Sequence, residues 1–158
     1  LTSAERNEDI NIVIDAGGLY YMKEFGCPSN AIITPHPGEA AMLLDCSVEE
    51  LQKNRLEAAK ELYKRYNCLI ILKGYQTIVF DGEAYQCTDG GPALSTAGTG
   101  DVLAGLIGSF LAQGLSKIDA ARFSVAIHGA AGDKFSKNKR VRGLTATKLI
   151  KIINEEML

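Results

Sequence analysis

From Asp101 to Gln113 the chain reads DVLAGLIGSFLAQ, a stretch that is apolar on nearly every face if it is wound as a helix. A surface helix carries a polar stripe, and this one has almost none, so the pattern predicts a helix buried all round. Gly105 and Gly108 lower its intrinsic propensity by roughly 1 kcal/mol each relative to alanine. They therefore predict a neighbour packed very close to that face. A buried helix needs partners on more than one side, and the rest of the chain supplies them.

Short β-branched runs alternate with helical patterns. Ile10 to Ala16 (INIVIDA) reads as a strand closed by a Gly17-Gly18 turn, and Ala31 to Thr34 (AIIT) as a second strand ended by Pro35-His36-Pro37-Gly38. Glu39 to Asp45 suits a brief helix. Ser47 and Glu50 form a capping-box pattern ahead of one longer helix that carries Leu51, Ala58, Ala59 and Leu62 to about Tyr66. Cys68 to Leu72 (CLIIL) reads as a third strand. Thr77 to Phe80 and Glu83 to Thr88 flank Asp81-Gly82, a strong hairpin signal. Beyond Gln113, Ser116 to Asp119 opens a helix running through His128 to about Lys134. Thr145 caps a last amphipathic helix with Leu149, Ile152, Ile153 and Met157. Strands alternating with helices make the fold α/β. Neither repeats nor an internal linker are visible, so residues 1–158 read as a single domain.

Charged residues make up 23% of the chain and the formal net charge is −2, which gives no electrostatic reason to expect nucleic acid or an anionic membrane as partner. The local run Lys134-Phe-Ser-Lys137-Asn-Lys139-Arg140 reads as a solvated loop. Cys27, Cys46, Cys68 and Cys87 show no ligand spacing for zinc, and cysteines this sparse suit a reducing compartment, the cytoplasm by default. Cys68 reads as a small core residue. No apolar stretch is long enough to span a membrane. The chain starts Leu1-Thr2-Ser3 without methionine and reads as the continuation of something longer.

The chemistry concentrates in Thr96-Ala97-Gly98-Thr99-Gly100-Asp101, just ahead of the buried helix. Glycines let the backbone turn tightly and approach a ligand, and the first N–H groups of a helix lack internal partners at its positive end. Ala97, Gly98, Thr99 and Gly100 are therefore a candidate hole for a phosphate or another anion, with Asp101 the candidate catalytic carboxylate. The pattern is neither a P-loop nor a dinucleotide fingerprint. Taken alone, it also fits a glycine turn with Asp101 as an ordinary first-turn acid.

Two loops follow strand ends, where ligands of open α/β sheets bind. In Thr34-Pro35-His36-Pro37-Gly38-Glu39 the prolines fix His36 as a candidate substrate contact and Glu39 as a candidate organiser of water or metal; a rigid turn with an exposed histidine is the alternative. Lys73-Gly74-Tyr75-Gln76-Thr77 has the shape of a loop around a nucleotide, though a lysine at a strand end is most simply solvated. His128 reads as a packed core histidine. Gly132-Asp133 reads as a helix end in preference to a second phosphate contact.

In order along the chain, TPHPGE, LKGYQT, STAGTGDVLAGLIGSFLAQGL, HGAAGD and GLTATKL resemble one family. They look like the C-terminal part of the ADP- or ATP-dependent NAD(P)H-hydrate dehydratases, a branch of the ribokinase-like superfamily. The resemblance implies a three-layer α/β/α fold and repair of hydrated nicotinamide cofactor. In that reaction a nucleotide phosphorylates the hydroxyl of NADHX or NADPHX, and loss of phosphate restores NADH or NADPH. It implies that His36 and Asp101 contact the hydrated dinucleotide. Lys73, Gly74, Tyr75, Gln76, Thr77 and Gly100 would hold the AMP part of ADP or ATP, and Glu39 would organise Mg2+ indirectly. Where the family has D-A-D-x-L this chain has Asp15-Ala16-Gly17-Gly18-Leu19, so Gly17 stands in place of a carboxylate. The resemblance also implies that the N-terminal half of the family domain is absent, leaving an incomplete substrate site. From this follow an open edge at Ile10 to Ile14 and a homo-oligomer or a complementing chain. A vitamin or sugar kinase of the same superfamily, and a truncated non-catalytic nucleotide-binding module, are the competing readings.

Overall fold

β-branched residues restrict their own rotamers and favour extended backbone, and each of the short Ile/Val runs forms a strand. The computed structural model describes residues 10–137 and 142–156. Leu1-Thr2-Ser3, Lys139, Arg140 and Met157, which figure in the sequence reading, lie outside those residues. The strands are β1 (Ile12–Ile14), β2 (Ala31–Ile33), β3 (Leu69–Leu72), β4 (Ile78–Phe80) and β5 (Ala84–Gln86), in one sheet of order β1-β2-β3-β4-β5. The first three are parallel, with Ile14 beside Ile33 and Ile33 beside Ile70. The chain then turns back on itself, so β4 and β5 run antiparallel, the hairpin expected at Asp81-Gly82. Among the described residues β1 forms one edge of the sheet, and Ile12 on it is exposed, as an open edge predicts.

Alternate strand residues point to opposite faces, and each face has its own core. Ile70 and Leu72 join Ile33, Ile78 and Phe80 beneath four helices: α1 (Gly17–Phe25), α2 (Pro37–Leu44), α3 (Val48–Lys53) and α4 (Arg55–Tyr66). These contribute Leu19, Leu43, Leu51, Ala59 and Leu62, and Tyr63 of α4 meets the ring of Phe80 edge-on with centroids 5.3 Å apart. Leu69 and Ile71 join Ile32 and Val79 on the other face, against Leu103 and Ile107 of α5 (Thr99–Ala112) and Ala121 and Val125 of α6 (Lys117–Ser136). A third cluster, built on Ala131, Leu144, Leu149 and Ile153, seats α7 (Ala146–Glu156) against α5 and α6. The result is a sheet between two helical layers, as the family resemblance implied. None of the described helices is long and apolar enough to cross a membrane.

Four local expectations are corrected. Gly17-Gly18 does not end in a turn: the two residues start α1, entered through Ala16 at a φ of 47°. The helix from Ser47 to Tyr66 is two helices, because Asn54 leaves helical geometry, ends α3 and caps α4 by accepting from the Glu57 N–H at 3.4 Å. α5 is not buried all round. Thr99, Leu103 and Ile107 are its buried residues, and open space surrounds Gly105 and Gly108. Gly132-Asp133 is not a helix end, since α6 runs on to Ser136. Cys68 is a core residue, as expected.

Candidate active site

Because β1, β2 and β3 are parallel, their carboxyl ends open on one side of the sheet and deliver Asp15, the Thr34–His36 segment and Lys73 there. The segment from Asp89 to Asp101 crosses in front of them, and α6 closes the far side with Val125, His128 and Gly129. Together they enclose a cavity of about 600 Å³. Of the residues singled out in the sequence, His36, Lys73, Gly74, Tyr75, Thr77, Ala97, Gly98, Thr99, Gly100 and Asp101 all line it.

The floor is an ion pair. Lys73 Nζ lies 2.8 Å from Asp15 Oδ1 and 3.9 Å from Glu39 Oε2, with only 18% of the lysine side chain and 14% of the Asp15 side chain exposed. Lys73 is thus held in the site rather than solvated. The Thr34 hydroxyl donates to the same Asp15 oxygen at 2.7 Å. Burial works against the Asp15 charge, but the hydrogen bonds from Lys73 and Thr34 outweigh it and hold its pKa below the usual carboxylate range. Gly100 sits directly above. A Cβ there would come within 3.2 Å of Lys73 Nζ, so only glycine leaves the backbone free to approach a ligand over the pair.

The roof is the start of α5. Gly98 takes up the left-handed conformation at φ 86°, and no side chain caps the helix. The Thr99 N–H turns back to the Thr96 carbonyl at 3.3 Å. The following first-turn N–H groups, at Gly100 and Asp101, stay at the positive end of the helix dipole and border the cavity. The Thr99 hydroxyl is committed elsewhere, 2.6 Å from the Leu94 carbonyl and 2.8 Å from that of Thr96. Asp101 is exposed on the cavity rim.

The prolines of the His36 loop set up a reciprocal cap. His36 Nδ1 accepts from the N–H groups of Gly38 and Glu39, at 3.0 and 3.2 Å, while Glu39 Oε2 accepts from the His36 N–H at 2.7 Å. Because Nδ1 accepts, the imidazole carries its proton on Nε2, which lies 3.4 Å from Glu39 Oε1. The Glu39 carboxylate is buried behind the histidine and does not line the cavity. Gln76 also lies off the cavity, its side-chain oxygen taken by Gln86 Nε2 at 3.0 Å on the hairpin. Among the described residues no three His, Cys, Asp or Glu groups converge as a metal cage.

Four further residues shape the site: Asp15 and Arg55, which the sequence did not single out as site residues, and His128 and Asp133, which it read as a core histidine and part of a helix end. Asp15 was visible only as part of a departure from a motif, although its place at a strand's carboxyl end is the same signal that marked the other loops. Arg55 of α4 holds the Lys73–Tyr75 turn, donating to the carbonyls of Leu72 and Lys73 at 3.1 Å each and to that of Tyr75. His128 is packed, as expected, but it also lines the cavity, with Nε2 donating to the Thr99 carbonyl at 2.8 Å. Burial pushes its pKa down, so it stays a neutral donor. Asp133 accepts the Gly90 N–H at 2.9 Å and so contacts protein backbone in place of phosphate.

A family model described as NAD(P)H-hydrate dehydratase matches residues 1–155. A bifunctional NAD(P)H-hydrate repair enzyme of Vibrio cholerae is 41% identical over 145 residues, covering 90% of this chain and 29% of the relative. Among solved structures, the ADP/ATP-dependent NAD(P)H-hydrate dehydratase of Bacillus subtilis, co-crystallized with ATP/Mg2+, superposes with a TM-score of 0.85 at 34% identity. The match covers 92% of this chain and 55% of that one. A ribokinase-like superfamily protein of Enterococcus faecalis superposes with a TM-score of 0.77 at 27% identity, covering 91% of this chain and 51% of that one. The chain thus spans under a third of the Vibrio relative and about half of these solved structures. The fold is ribokinase-like. Since the family model covers nearly the whole chain, the chain belongs to the NAD(P)H-hydrate dehydratase family.

Proposed function

We propose that this chain forms the nucleotide-binding and phosphoryl-transfer side of an NAD(P)H-hydrate dehydratase, which uses ADP or ATP to convert NADHX or NADPHX to NADH or NADPH. The observation that carries the reading is the convergence of Lys73, the uncapped start of α5 and Asp101 on one cavity. The free N–H groups at Gly100 and Asp101 stabilise charge on a transferring phosphoryl group, with Ala97 to Thr99 shaping the hole. Lys73 swings from Asp15 to the nucleotide phosphates, and Gly74, Tyr75 and Thr77 border the AMP portion. Gln76 supports that turn from the hairpin side.

Asp101 takes the proton from the hydroxyl of the hydrated nicotinamide as that oxygen attacks the terminal phosphorus, and the shortened nucleotide leaves. Elimination of the new phosphate ester then restores the dihydronicotinamide. His36 donates from Nε2 to the hydrated dinucleotide. Mg2+ bound together with the nucleotide would neutralise phosphate charge. Glu39, whose carboxylate accepts the His36 N–H and lies 3.9 Å from Lys73 Nζ, would organise the ion only indirectly. The edge position of β1 supports working as a homo-oligomer or with a complementing chain. Four free cysteines support a cytoplasmic setting.

The test supplies NADHX with ADP or ATP and Mg2+ and follows phosphate release together with recovery of absorbance at 340 nm. Asp101→Asn should keep the fold and cut turnover roughly 10²–10⁴-fold, the usual worth of a positioned proton acceptor. Near-wild-type turnover in that variant removes the catalytic role. Nucleotide consumption on a sugar or vitamin acceptor without recovery at 340 nm replaces the reading with a small-molecule kinase.

A further inference from the structure

The segment Asp89-Gly90-Gly91-Pro92-Ala93-Leu94 is a wall of the cavity, with five of its residues facing it, and it lies across α6. Two glycines of α6 make that contact possible. A Cβ at Gly129 would stand 2.8 Å from the Asp89 carbonyl oxygen, and one at Gly132 would stand 2.6 Å from Leu94 Cγ. Both are helix-interior positions where glycine costs stability. One turn on, Asp133 Oδ2 accepts the Gly90 N–H at 2.9 Å, and its other oxygen would lie 3.7 Å from a Cβ on Gly91. Gly90, second in the strap, has a φ of +98°, a conformation that favours glycine, and it is there that the carboxylate holds the backbone. At the other end, Thr99 is tied back to α6 through His128 and to the strap through Leu94. The whole stretch from Gly90 to Thr99 is thus fixed to one helix at both ends.

We propose that Asp133 is a positioning residue for the nucleotide cavity, holding the Asp89–Leu94 strap against α6 so that the wall is preformed before ligand arrives. The inference rests on the nucleotide reading of the cavity given above. Asp133 touches no reacting atom. Its effect is on affinity, because a strap that must be ordered on binding charges that ordering to the binding equilibrium.

The test uses residues 1–158 as wild type, Asp133→Ala and Asp133→Asn. Amide hydrogen exchange is measured without ligand at Gly90 to Leu94 and, as a reference, at Leu69 to Leu72 of β3; ADP with Mg2+ is then titrated by calorimetry. Asp133→Ala should speed exchange in the strap alone and weaken ADP binding by roughly tenfold, the scale set by one hydrogen bond to a charged group. Asp133→Asn retains an acceptor oxygen and should restore both properties most of the way. Exchange unchanged at Gly90 in Asp133→Ala, or accelerated equally in β3, overturns the clamp. A looser strap with unaltered ADP affinity overturns the positioning role. A wild-type chain that does not bind ADP overturns the nucleotide reading and the purpose given to the strap, while the exchange data still decide whether Asp133 holds it.

Discussion

Replacing Lys73 by methionine keeps the length of the side chain and removes its charge, which isolates the ion pair beneath the cavity. In the wild type Asp15 has three supports: Lys73 at 2.8 Å, the Thr34 hydroxyl at 2.7 Å, and the backbone at Ala16. Taking away the lysine leaves a mostly buried carboxylate with two neutral donors. Breaking a fully buried pair costs about 3–5 kcal/mol. Some solvent contact and the surviving Thr34 bond bring the expected loss here to about 2–3 kcal/mol at neutral pH. For a chain of this size that lowers Tm by about 4–12 °C. The pH dependence carries the sharper sign. In the wild type the Asp15 pKa is below that of the unfolded chain, so its contribution is complete above the unfolded value and fades as pH falls through the folded one. In Lys73→Met the burial penalty dominates and raises the folded pKa, so acid now relieves a cost. The stability gap between the two proteins should therefore shrink as pH drops from about 7 toward about 3. Adding Asp15→Asn to Lys73→Met should recover at least half of the loss. Urea denaturation across that pH range measures both. A gap that stays constant with pH, together with simple additivity in the double variant, refutes the reasoning.

Gly100→Val should fold, because the atom its Cβ crowds is the flexible end of Lys73, but the rise in Tm that ADP gives the wild type by mass action should vanish. An equal nucleotide-dependent shift in both proteins would place the nucleotide elsewhere. Two helix glycines should respond to alanine with opposite signs. Gly132→Ala meets Leu94 Cγ and should destabilise by about 1–2 kcal/mol, whereas Gly105→Ala meets nothing and should stabilise by about 0.5–1 kcal/mol. Thermal melts of the two variants check this pair.

The sequence made the strands and their loops legible because β-branched runs and the Asp81-Gly82 turn act locally. The hairpin, β2 and β3 fall within a residue or two of where the pattern puts them. The same is true of the start of α6 at Ser116 and of the Ser47–Glu50 capping box. What was hidden depends on neighbours remote in sequence. Gly17-Gly18 looks like punctuation, yet the helix it opens is held by Leu19 and Met22 in the core. Lys73 looks like a solvated lysine until Asp15, 58 positions earlier, is placed beside it. Gly132-Asp133 looks like a helix terminus because glycine is expensive inside one, and only the Leu94 side chain against it explains its use. The apolar composition of α5 overstated its burial: Thr99, Leu103 and Ile107 are its buried residues, and a Cβ at Gly105 or Gly108 would meet nothing.

The strands of this sheet lie side by side in the order in which they occur in the chain. Among the described residues no strand has to be threaded between two others already paired. Among the described strands, β2 to β5 are each made after the strand they pair with, so these pairings follow the order of synthesis. Asp15 and Thr34 come off the ribosome before Lys73, and the polar anchor points of the cavity stand ready before the glycine-rich roof is translated. The helix that starts at Thr99 is made after β1 to β5, so the sheet face it packs on precedes it in synthesis.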